Sequence, residues 1–308
     1  MECSASSGRI KVLLDTDIGG DIDDTWALAL ALRCPEIDLR LVVADTADTV
    51  YRAKIAAKLL EVAGRTDVPV GIGLPFQSDG PRERQKAWVE DYDLRRYPGR
   101  VHADGVGALI DAILSSPTTP TLVAIGPAPN LAEALRREPR IAERADFVGM
   151  FGSLAFNHDG QPGAIAEWNV VKDIAAAQAV FSAPWRSFTL TPLDTCGRIR
   201  LDGARYAAVR DSRDPLLAAV IGNYRLYAQC VSRVADVETR SSLLYDTVAV
   251  TLAFTRAHLH MERLRLRVTD DGFTVPDARA RPMDVAVEWT DLPAYLDFLV
   301  ARLTGAAA

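Results

Sequence analysis

Five carboxylates fall within ten residues near the start of the chain, where an apolar run meets an apolar helical pattern. The acidic residues are Asp15, Asp17, Asp21, Asp23 and Asp24. Like charges at this density repel one another, so folding alone gives no reason to collect them at the end of a buried strand. Carboxylate oxygens are the ligands that Ca²⁺ and Mg²⁺ prefer in proteins. The cluster therefore predicts an enzyme with a metal ion at its active site.

Two known kinds of acidic loop compete for this segment. An EF-hand loop also alternates acids around a glycine, but here a strand precedes the loop and Trp26 occupies the position of the bidentate glutamate, which excludes it. An aspartyl phosphotransferase of the haloacid-dehalogenase type begins with a strand that ends in Asp-x-Asp. Asp15 would then be a nucleophile and Asp17 an acid and base beside Mg²⁺. This alternative stays open, although it gives Asp23 and Asp24 no role.

The elements around the cluster predict an α/β fold. Apolar runs typical of buried strands alternate with helical patterns, which indicates an open, mostly parallel sheet with helices on both faces. The predicted strands are Ile10–Leu14, Leu39–Ala44, Val68–Ile72, Thr121–Ile125, Phe147–Phe151 and Ser187–Thr191. The predicted helices are Thr25–Arg33, Val50–Ala63, Gly107–Leu114, Ala128–Arg137 and Ile174–Phe181. Ligands bind beyond the carboxyl ends of such strands, and the acidic cluster begins where the first strand ends.

The last third of the chain has a different pattern. It is helical from about Leu201 to Ala257 and continues with a short strand pair, Arg263–Thr269 and Val285–Trp289, joined through a turn at Asp270–Gly272. A last helix covers Leu292–Leu303. The sequence therefore predicts a C-terminal helical portion with a strand pair.

A polar stretch from Phe76 to Asp104 is expected to be a long loop, either a lid over the site or an ordinary surface excursion. No linker or internal repeat interrupts the chain. We therefore expect a single domain over residues 1–308, with residues 1–9 flexible.

Composition limits the classes of partner. Of the 308 residues, 49% are hydrophobic and 25% are charged, and the net charge is −6 without a Lys/Arg-rich run. We expect no nucleic-acid partner. No segment approaches the roughly 18 apolar residues of a membrane span, and the first residues have no signal-peptide core, so we expect a cytoplasmic protein without membrane contact. The cysteines have no CxxC spacing, which is typical of reduced thiols.

Four segments, in the same order along the chain, resemble the inosine–uridine nucleoside hydrolase family. They correspond to the family's Asp-x-Asp-x-Gly signature with its paired Asp-Asp, to the loop and helix after the central strand, to the ribose-binding Glu-aromatic-Asn segment, and to the late segment that returns an Asp to the metal. The segments are Asp15–Gly19 with Asp23–Leu28, Gly126–Leu131 with Glu138–Ile141, Gly163–Val170, and Tyr245–Val250. The resemblance implies the family's fold and a Ca²⁺-dependent hydrolysis of ribonucleosides.

The resemblance also implies a role for each acid. Asp17, Asp24 and Asp246 would bind Ca²⁺, together with the backbone carbonyl oxygen of Ile125. Asp15 would orient these ligands. A metal-bound water would be the nucleophile, and Asp17 would be its base.

Ribose offers vicinal hydroxyl groups to the same site. Asp23 and Asn169 would bind the 2′ and 3′ hydroxyls, and Glu167 the 5′ hydroxyl. Whether Asp21 or Asp23 meets the ribose is open, with Asp23 favoured. Trp168 would stack on a base or fill the core. The negative charge of the surrounding carboxylates would also stabilise an oxocarbenium-like transition state more than the ground state.

The half of the site that recognises the base departs from the family. There a His directly before the late metal Asp helps to protonate the leaving base, whereas this chain has Tyr245, a poorer proton donor because a phenol has a pKa of about 10. An Asn of the ribose pocket is replaced by Gln161 or is missing. His102 and His158 lie in loops near the expected mouth. We therefore expect a nucleoside or ribosylated small molecule as substrate, with the aglycone open.

A protein that binds ribose without turnover is the remaining alternative. The family resemblance further implies a homodimer or homotetramer.

Overall fold

A central β-sheet carries the fold. The computed structural model describes residues 8–76, 83–158, 160–231 and 236–306. The strands in this part of the chain are β1 (Ile10–Thr16), β2 (Ile37–Ala44), β3 (Val70–Ile72), β4 (Val101–His102), β5 (Thr121–Ala124), β6 (Asp146–Met150), β7 (Ser187–Thr191), β8 (Leu259–Val268), β9 (Thr274–Pro276) and β10 (Pro282–Trp289). They form one sheet in the order β4-β3-β2-β1-β5-β6-β7-β10-β8-β9.

Helices cover both faces of the sheet and make up much of the C-terminal part. The helices are α1 (Asp23–Arg33), α2 (Thr49–Val62), α3 (Lys86–Val89), α4 (Gly105–Leu114), α5 (Pro129–Arg137), α6 (Ile141–Arg144), α7 (Trp168–Val171), α8 (Ile174–Ser182), α9 (Leu193–Cys196), α10 (Gly203–Arg210), α11 (Pro215–Cys230), α12 (Asp246–Leu252) and α13 (Leu292–Thr304). The predicted α/β fold with a mostly parallel sheet is confirmed. Among the described helices, none is long and apolar enough to cross a membrane.

The parallel register brings several strand ends to one edge of the sheet. β1 lies between β2 and β5 and runs parallel to both, with Asp15 beside Val43 and Ala124. β6 and β7 continue the parallel arrangement on one side, and β3 and β4 continue it on the other. The loops that follow β1, β2, β5 and β6 therefore meet at the same edge.

The two faces of β1 enter two different apolar cores. Val12 and Leu14 pack in the core that also holds Trp26 of α1, and Leu13 packs in the opposite core with Leu131 of α5. All of these side chains are buried, and burial of a large apolar side chain contributes about 1.5–3 kcal/mol. This explains why the strand is apolar without alternation, and it fixes the residues that follow β1 on a rigid base.

The C-terminal strands are more elaborate than predicted. The turn at Asp270–Gly272 leads from β8 into the short β9, which pairs with the end of β8. The second predicted strand belongs to β10, which is antiparallel to β8 and parallel to β7. β9 has only three residues and ends in Pro276, so it gives little strand signal in the sequence. The predicted pair therefore exists, but it joins the main sheet.

Part of the predicted loop from Phe76 to Asp104 has regular structure. Residues 77–82 lie outside the described part, as do residues 1–7 of the segment expected to be flexible. The remainder contains α3, a 3₁₀ turn at Leu94–Arg96 and β4. Gln85, just before α3, accepts a 3.1 Å hydrogen bond from the hydroxyl of Thr25. This segment therefore lies against the first turn of α1.

Candidate active site

Two carboxyl groups lie side by side where β1 and β2 end. Asp15 is fully buried, and its Oδ2 accepts a 2.8 Å hydrogen bond from the amide of Asn130. Asp45 directly follows β2, and its carboxyl group interacts electrostatically with that of Asp15. No other described donor reaches Oδ1 of Asp15 or either carboxyl oxygen of Asp45. Burial raises the pKa of Asp15 to about 7, although the hydrogen bond from Asn130 lowers it.

Three further carboxylates from distant segments meet next to this pair. Asp23 and Asp24 lie in the first turn of α1, and Asp246 begins α12. One carboxylate oxygen of each lies within 4.8 Å of the others, and all three side chains are buried. The hydroxyl of Thr16 donates a 2.5 Å hydrogen bond to Oδ1 of Asp24. The two helix starts therefore bring together residues more than 200 positions apart in the sequence.

The negative charges of Asp23, Asp24 and Asp246 favour the binding of a positive ion. Burial, together with the charges of Asp21 and Asp17, raises the pKa of Asp23 to about 8. Burial and neighbouring carboxylates also raise the pKa values of Asp24 and Asp246 well above the ordinary range. A buried set of carboxylate oxygens at this spacing fits a hard divalent cation, which would favour the charged form of all three groups. The buried aspartate cluster is thus a candidate metal site.

Asp17 lies beside this cluster next to a buried arginine. Arg52 of α2 is only 2% exposed, and its Nη1 lies 3.6 Å from Oδ2 of Asp17. The same nitrogen donates a 3.1 Å hydrogen bond to the carbonyl oxygen of Ile18. The charge of Asp17 contributes to the raised pKa values of Asp24 and Asp246. Asp17 therefore borders the metal-site candidate, and Arg52 holds the loop that carries it.

Asp21 points to a different set of partners. It forms an ion pair with Arg84, and its Oδ1 accepts a 3.0 Å hydrogen bond from the hydroxyl of Tyr227. Its side chain is 42% exposed, whereas Asp23 is buried. This arrangement agrees with the preference for Asp23 as the ribose-binding acid, which stays a prediction.

The predicted ribose segment follows β6 and closes the other side of the site. Glu167 is buried and accepts hydrogen bonds from the backbone nitrogens of Asn169, at 2.9 Å, and Gly152, at 3.0 Å. Burial raises its pKa to about 7 against these hydrogen bonds. The amide nitrogen of Asn169 donates to the carbonyl oxygens of Ile125, at 3.3 Å, and Met150, at 3.0 Å. Asn169 therefore links the predicted metal-ligand carbonyl of Ile125 to the ribose segment.

The three residues with the least certain predicted roles are placed differently. Trp168 is half-buried, with the ammonium of Lys172 3.9 Å from its ring centre. Gln161 is exposed at the end of a hairpin-like loop. Tyr245 directly precedes α12, and its hydroxyl donates a 3.4 Å hydrogen bond to the carbonyl oxygen of His158. Tyr245 is the neighbour in the chain of Asp246, which belongs to the metal-site candidate.

The sequence interpretation missed two buried charged residues. Asp45 directly follows β2, and a carboxyl at the end of the strand next to β1 was a usable signal. Arg52 falls three, four and seven positions before Ile55, Ala56 and Leu59, on the apolar stripe of α2. A charged residue in such a stripe indicates a buried ionic contact.

The chain is similar to known proteins along most of its length. Residues 12–296 match the family model described as inosine-uridine preferring nucleoside hydrolase. A probable uridine nucleosidase 2 of Arabidopsis thaliana is 31% identical, with 94% of this chain and 92% of that protein covered. The inosine-uridine preferring nucleoside hydrolase of Leishmania major is 30% identical, with 94% and 93% covered.

Solved structures show the same fold. A plant nucleoside hydrolase superposes with a TM-score of 0.81 at 23% identity, over 96% of this chain and 99% of that one. The match of the family model along most of the chain decides against the haloacid-dehalogenase alternative. It also identifies the protein as an enzyme that hydrolyses N-glycosidic bonds. The chain belongs to the inosine-uridine preferring nucleoside hydrolase family.

Proposed function

We propose that this protein hydrolyses the N-glycosidic bond of a ribonucleoside or ribosylated small molecule in a Ca²⁺-dependent reaction, with Asp17 as the base. The observation that carries the proposal is the buried group of Asp23, Asp24 and Asp246, whose oxygens lie within 4.8 Å of one another. Six or more oxygen ligands at flexible geometry suit Ca²⁺, and carbonyl and sugar hydroxyl oxygens would complete such a set.

Four groups of the chain bind the ion in this proposal. They are the carboxylates of Asp17, Asp24 and Asp246 and the carbonyl oxygen of Ile125, while Asp23 of the same buried cluster binds the sugar. When bound, Ca²⁺ supplies a positive centre that acidifies water and holds the ribose diol. Asp15, which is hydrogen-bonded to Asn130, keeps the loop after β1 in place.

The chain's own residues carry the chemical step. Water adds to C1′ of the ribose as the bond to the base nitrogen breaks, and Asp17 takes the proton that the water loses. Arg52 Nη1 lies 3.6 Å from Oδ2 of Asp17 and holds this carboxyl group beside the cluster. The transition state carries positive charge on the ribose ring, and the surrounding carboxylates stabilise that charge.

Binding of the sugar falls to residues on two sides of the site. Asp23 and Asn169 bind the 2′ and 3′ hydroxyls, and Glu167 binds the 5′ hydroxyl. Glu167 has two backbone donors within 3.0 Å, which fix its carboxyl group before substrate arrives. Pre-organised groups of this kind lower the cost of orienting the substrate.

Two further features are proposed, the first from the family resemblance and the second from the sequence pattern. We propose that the enzyme is a homodimer or homotetramer and that it works in the cytoplasm. Sedimentation at several protein concentrations tests the first, and fractionation of the source cells tests the second.

A nucleoside panel tests the proposed activity. The purified protein is incubated with inosine, uridine, cytidine and adenosine, before and after treatment with EDTA, and free ribose is measured. We expect ribose release from at least one nucleoside, loss of release in EDTA, and recovery when Ca²⁺ is added back. Ribose release that EDTA does not affect would contradict the metal dependence. Ribose binding without release, or phosphate release from sugar phosphates instead, would contradict the activity.

A further inference from the structure

A histidine lies beside the residue that replaces the family's proton donor. Tyr245 directly precedes the metal-site residue Asp246, and its ring contacts the ring of His158 edge to face, with ring centres 5.9 Å apart. The Tyr245 hydroxyl donates to the carbonyl oxygen of His158 at 3.4 Å. His158 comes from the loop after β6, about 90 residues away in the sequence. The fold thus supplies an imidazole next to the place where the family has one.

The loop that carries His158 is held at its base. The carboxylate of Asp194, at the start of α9, accepts hydrogen bonds of 2.8 Å from the backbone nitrogens of Leu154 and Ala155. The backbone of Ala155 also accepts a 2.8 Å hydrogen bond from Gly163, which closes the loop into a hairpin. His158 is half-buried near the tip of this hairpin. These hydrogen bonds hold the base of the loop next to α9.

The chemistry of the leaving group requires a proton donor near this position. When the C1′–N bond breaks, its electron pair goes to the base, and a purine or pyrimidine anion leaves poorly unless it is protonated. A phenol with a pKa of about 10 gives up a proton reluctantly at neutral pH, whereas an imidazolium ion titrates near 6.5. The Tyr245 hydroxyl also donates its hydrogen bond to the carbonyl oxygen of His158. The tyrosine is therefore suited to orienting the histidine.

We propose that His158 protonates the leaving base and that Tyr245 positions it for this step. The inference rests on the proposed hydrolase activity. In the step, the electron pair of the C1′–N bond passes to the base nitrogen and the proton of the His158 imidazolium passes to the base. Water supplies the hydroxyl that C1′ gains, and its proton goes to Asp17. The products are ribose and the neutral base, and His158 regains a proton from solvent.

Two substrates that differ only in the leaving group test this role. The nucleoside that the wild-type protein cleaves best needs protonation of its base, whereas p-nitrophenyl β-D-riboside releases a phenolate that needs none. For His158→Gln we expect kcat on the nucleoside to fall about 10²–10⁴-fold, which is the usual contribution of a general acid. The rate on the nitrophenyl riboside should stay within about threefold of wild type. That second rate also reports that the variant is folded and holds its metal.

Two further variants complete the experiment. His260→Gln removes an exposed histidine on β8 and should change neither rate. Tyr245→Phe keeps the ring and loses the hydrogen bond, so it should lower the nucleoside rate more than the nitrophenyl riboside rate, by a smaller factor than His158→Gln. Equal losses on both substrates in His158→Gln, or no loss on either, would overturn the role of His158. A wild-type protein that cleaves neither substrate would overturn the proposed hydrolase activity and this inference with it.

Discussion

At the scale of single residues, the acidic loop divides its carboxylates between two environments. Asp21 is balanced by Arg84 and reaches solvent, whereas Asp23 and Asp24 are buried against Asp246. Buried charges without a counter-ion are costly, so a protein keeps them only where they do chemistry or bind an ion. The same sequence stretch thus provides one ordinary surface ion pair and one functional cluster.

The role of Asp17 as the base gives the first prediction. Asp17→Asn keeps the size of the side chain but cannot accept the proton from water, so we expect kcat to fall by at least about 10²–10⁴-fold. Asp21→Asn is the matched control in the same loop and should keep near-wild-type activity. Both are measured as ribose release at saturating Ca²⁺. Wild-type turnover by Asp17→Asn would mean that another group takes the proton.

The raised pKa of Asp23 gives a prediction about stability and pH. This pKa is about 8 in the folded metal-free protein, against an ordinary value of 3.8. Because the unfolded chain ionises first, Asp23 favours folding below about pH 4, and this contribution is lost as pH rises through about 8. In EDTA, the Tm of wild type should therefore fall over this range. The Tm of Asp23→Asn should fall less, so that this variant is the more stable protein at pH 8.

Calorimetry across pH in EDTA measures this difference. Asp111→Asn, at an exposed position of α4, serves as a control that should follow the wild-type curve. Parallel curves for wild type and Asp23→Asn would show that Asp23 is ionised in the folded metal-free protein.

The sequence indicated most of these acids, but it did not indicate which charged side chains lie next to them in the fold. Asp246 was found only through a family resemblance, since nothing in its own neighbourhood marks it apart from an ordinary helix cap. Asp45 and Arg52 each carried a local signal, at the end of β2 and in the apolar stripe of α2, but their partners are known only once the fold brings them close. The contact between His158 and Tyr245 depends on a loop conformation that no local pattern encodes.

At the scale of elements, helix α2 supports the loop after β1 with a buried cation. Arg52 contacts Asp17 and the carbonyl oxygen of Ile18. Removal of one partner of a buried ion pair costs about 3–5 kcal/mol. We expect Arg52→Met to lower the free energy of unfolding by about that amount, as measured by urea denaturation in EDTA. Lys54→Met, a partly exposed position on the same helix, should cost much less, and an equal effect of the two would refute the supporting role.

The loop after β5 approaches the acidic loop so closely that only glycine fits at its start. A Cβ on Gly126 would lie 2.5 Å from Oδ2 of Asp45 and 2.8 Å from the backbone nitrogen of Asp17. Gly126→Ala must therefore displace the catalytic loop, and we expect kcat to fall about 100-fold, because misplacement by about 1 Å has such effects.

Gly222→Ala on α11 is the control for this change. A Cβ there meets nothing within 4 Å, so the variant should be active and more stable by up to about 1 kcal/mol. Full activity in Gly126→Ala would show that the two loops tolerate separation.

At the scale of the whole molecule, a parallel sheet with cores on both faces gathers distant residues at one edge. The alternation of strands and helices made this architecture predictable, and the structure and the family match confirm it. The addition of β10 parallel to β7 was not predictable, because a strand's partner depends on the connection around it and not on its own residues. The acidic loop, Glu167 and Asp246 consequently lie near one another at the edge next to β1.

In the proposed reaction, a single water molecule displaces the base at this edge, without a covalent intermediate on the enzyme. A single displacement inverts the configuration at the reacting carbon, whereas an enzyme-bound ribosyl intermediate leads to retention. The direct measurement is a proton NMR time course of a β-nucleoside with the Ca²⁺-loaded protein, which resolves the two anomers of ribose before they interconvert. We expect α-ribose as the first product, and β-ribose as the first product would contradict a single displacement.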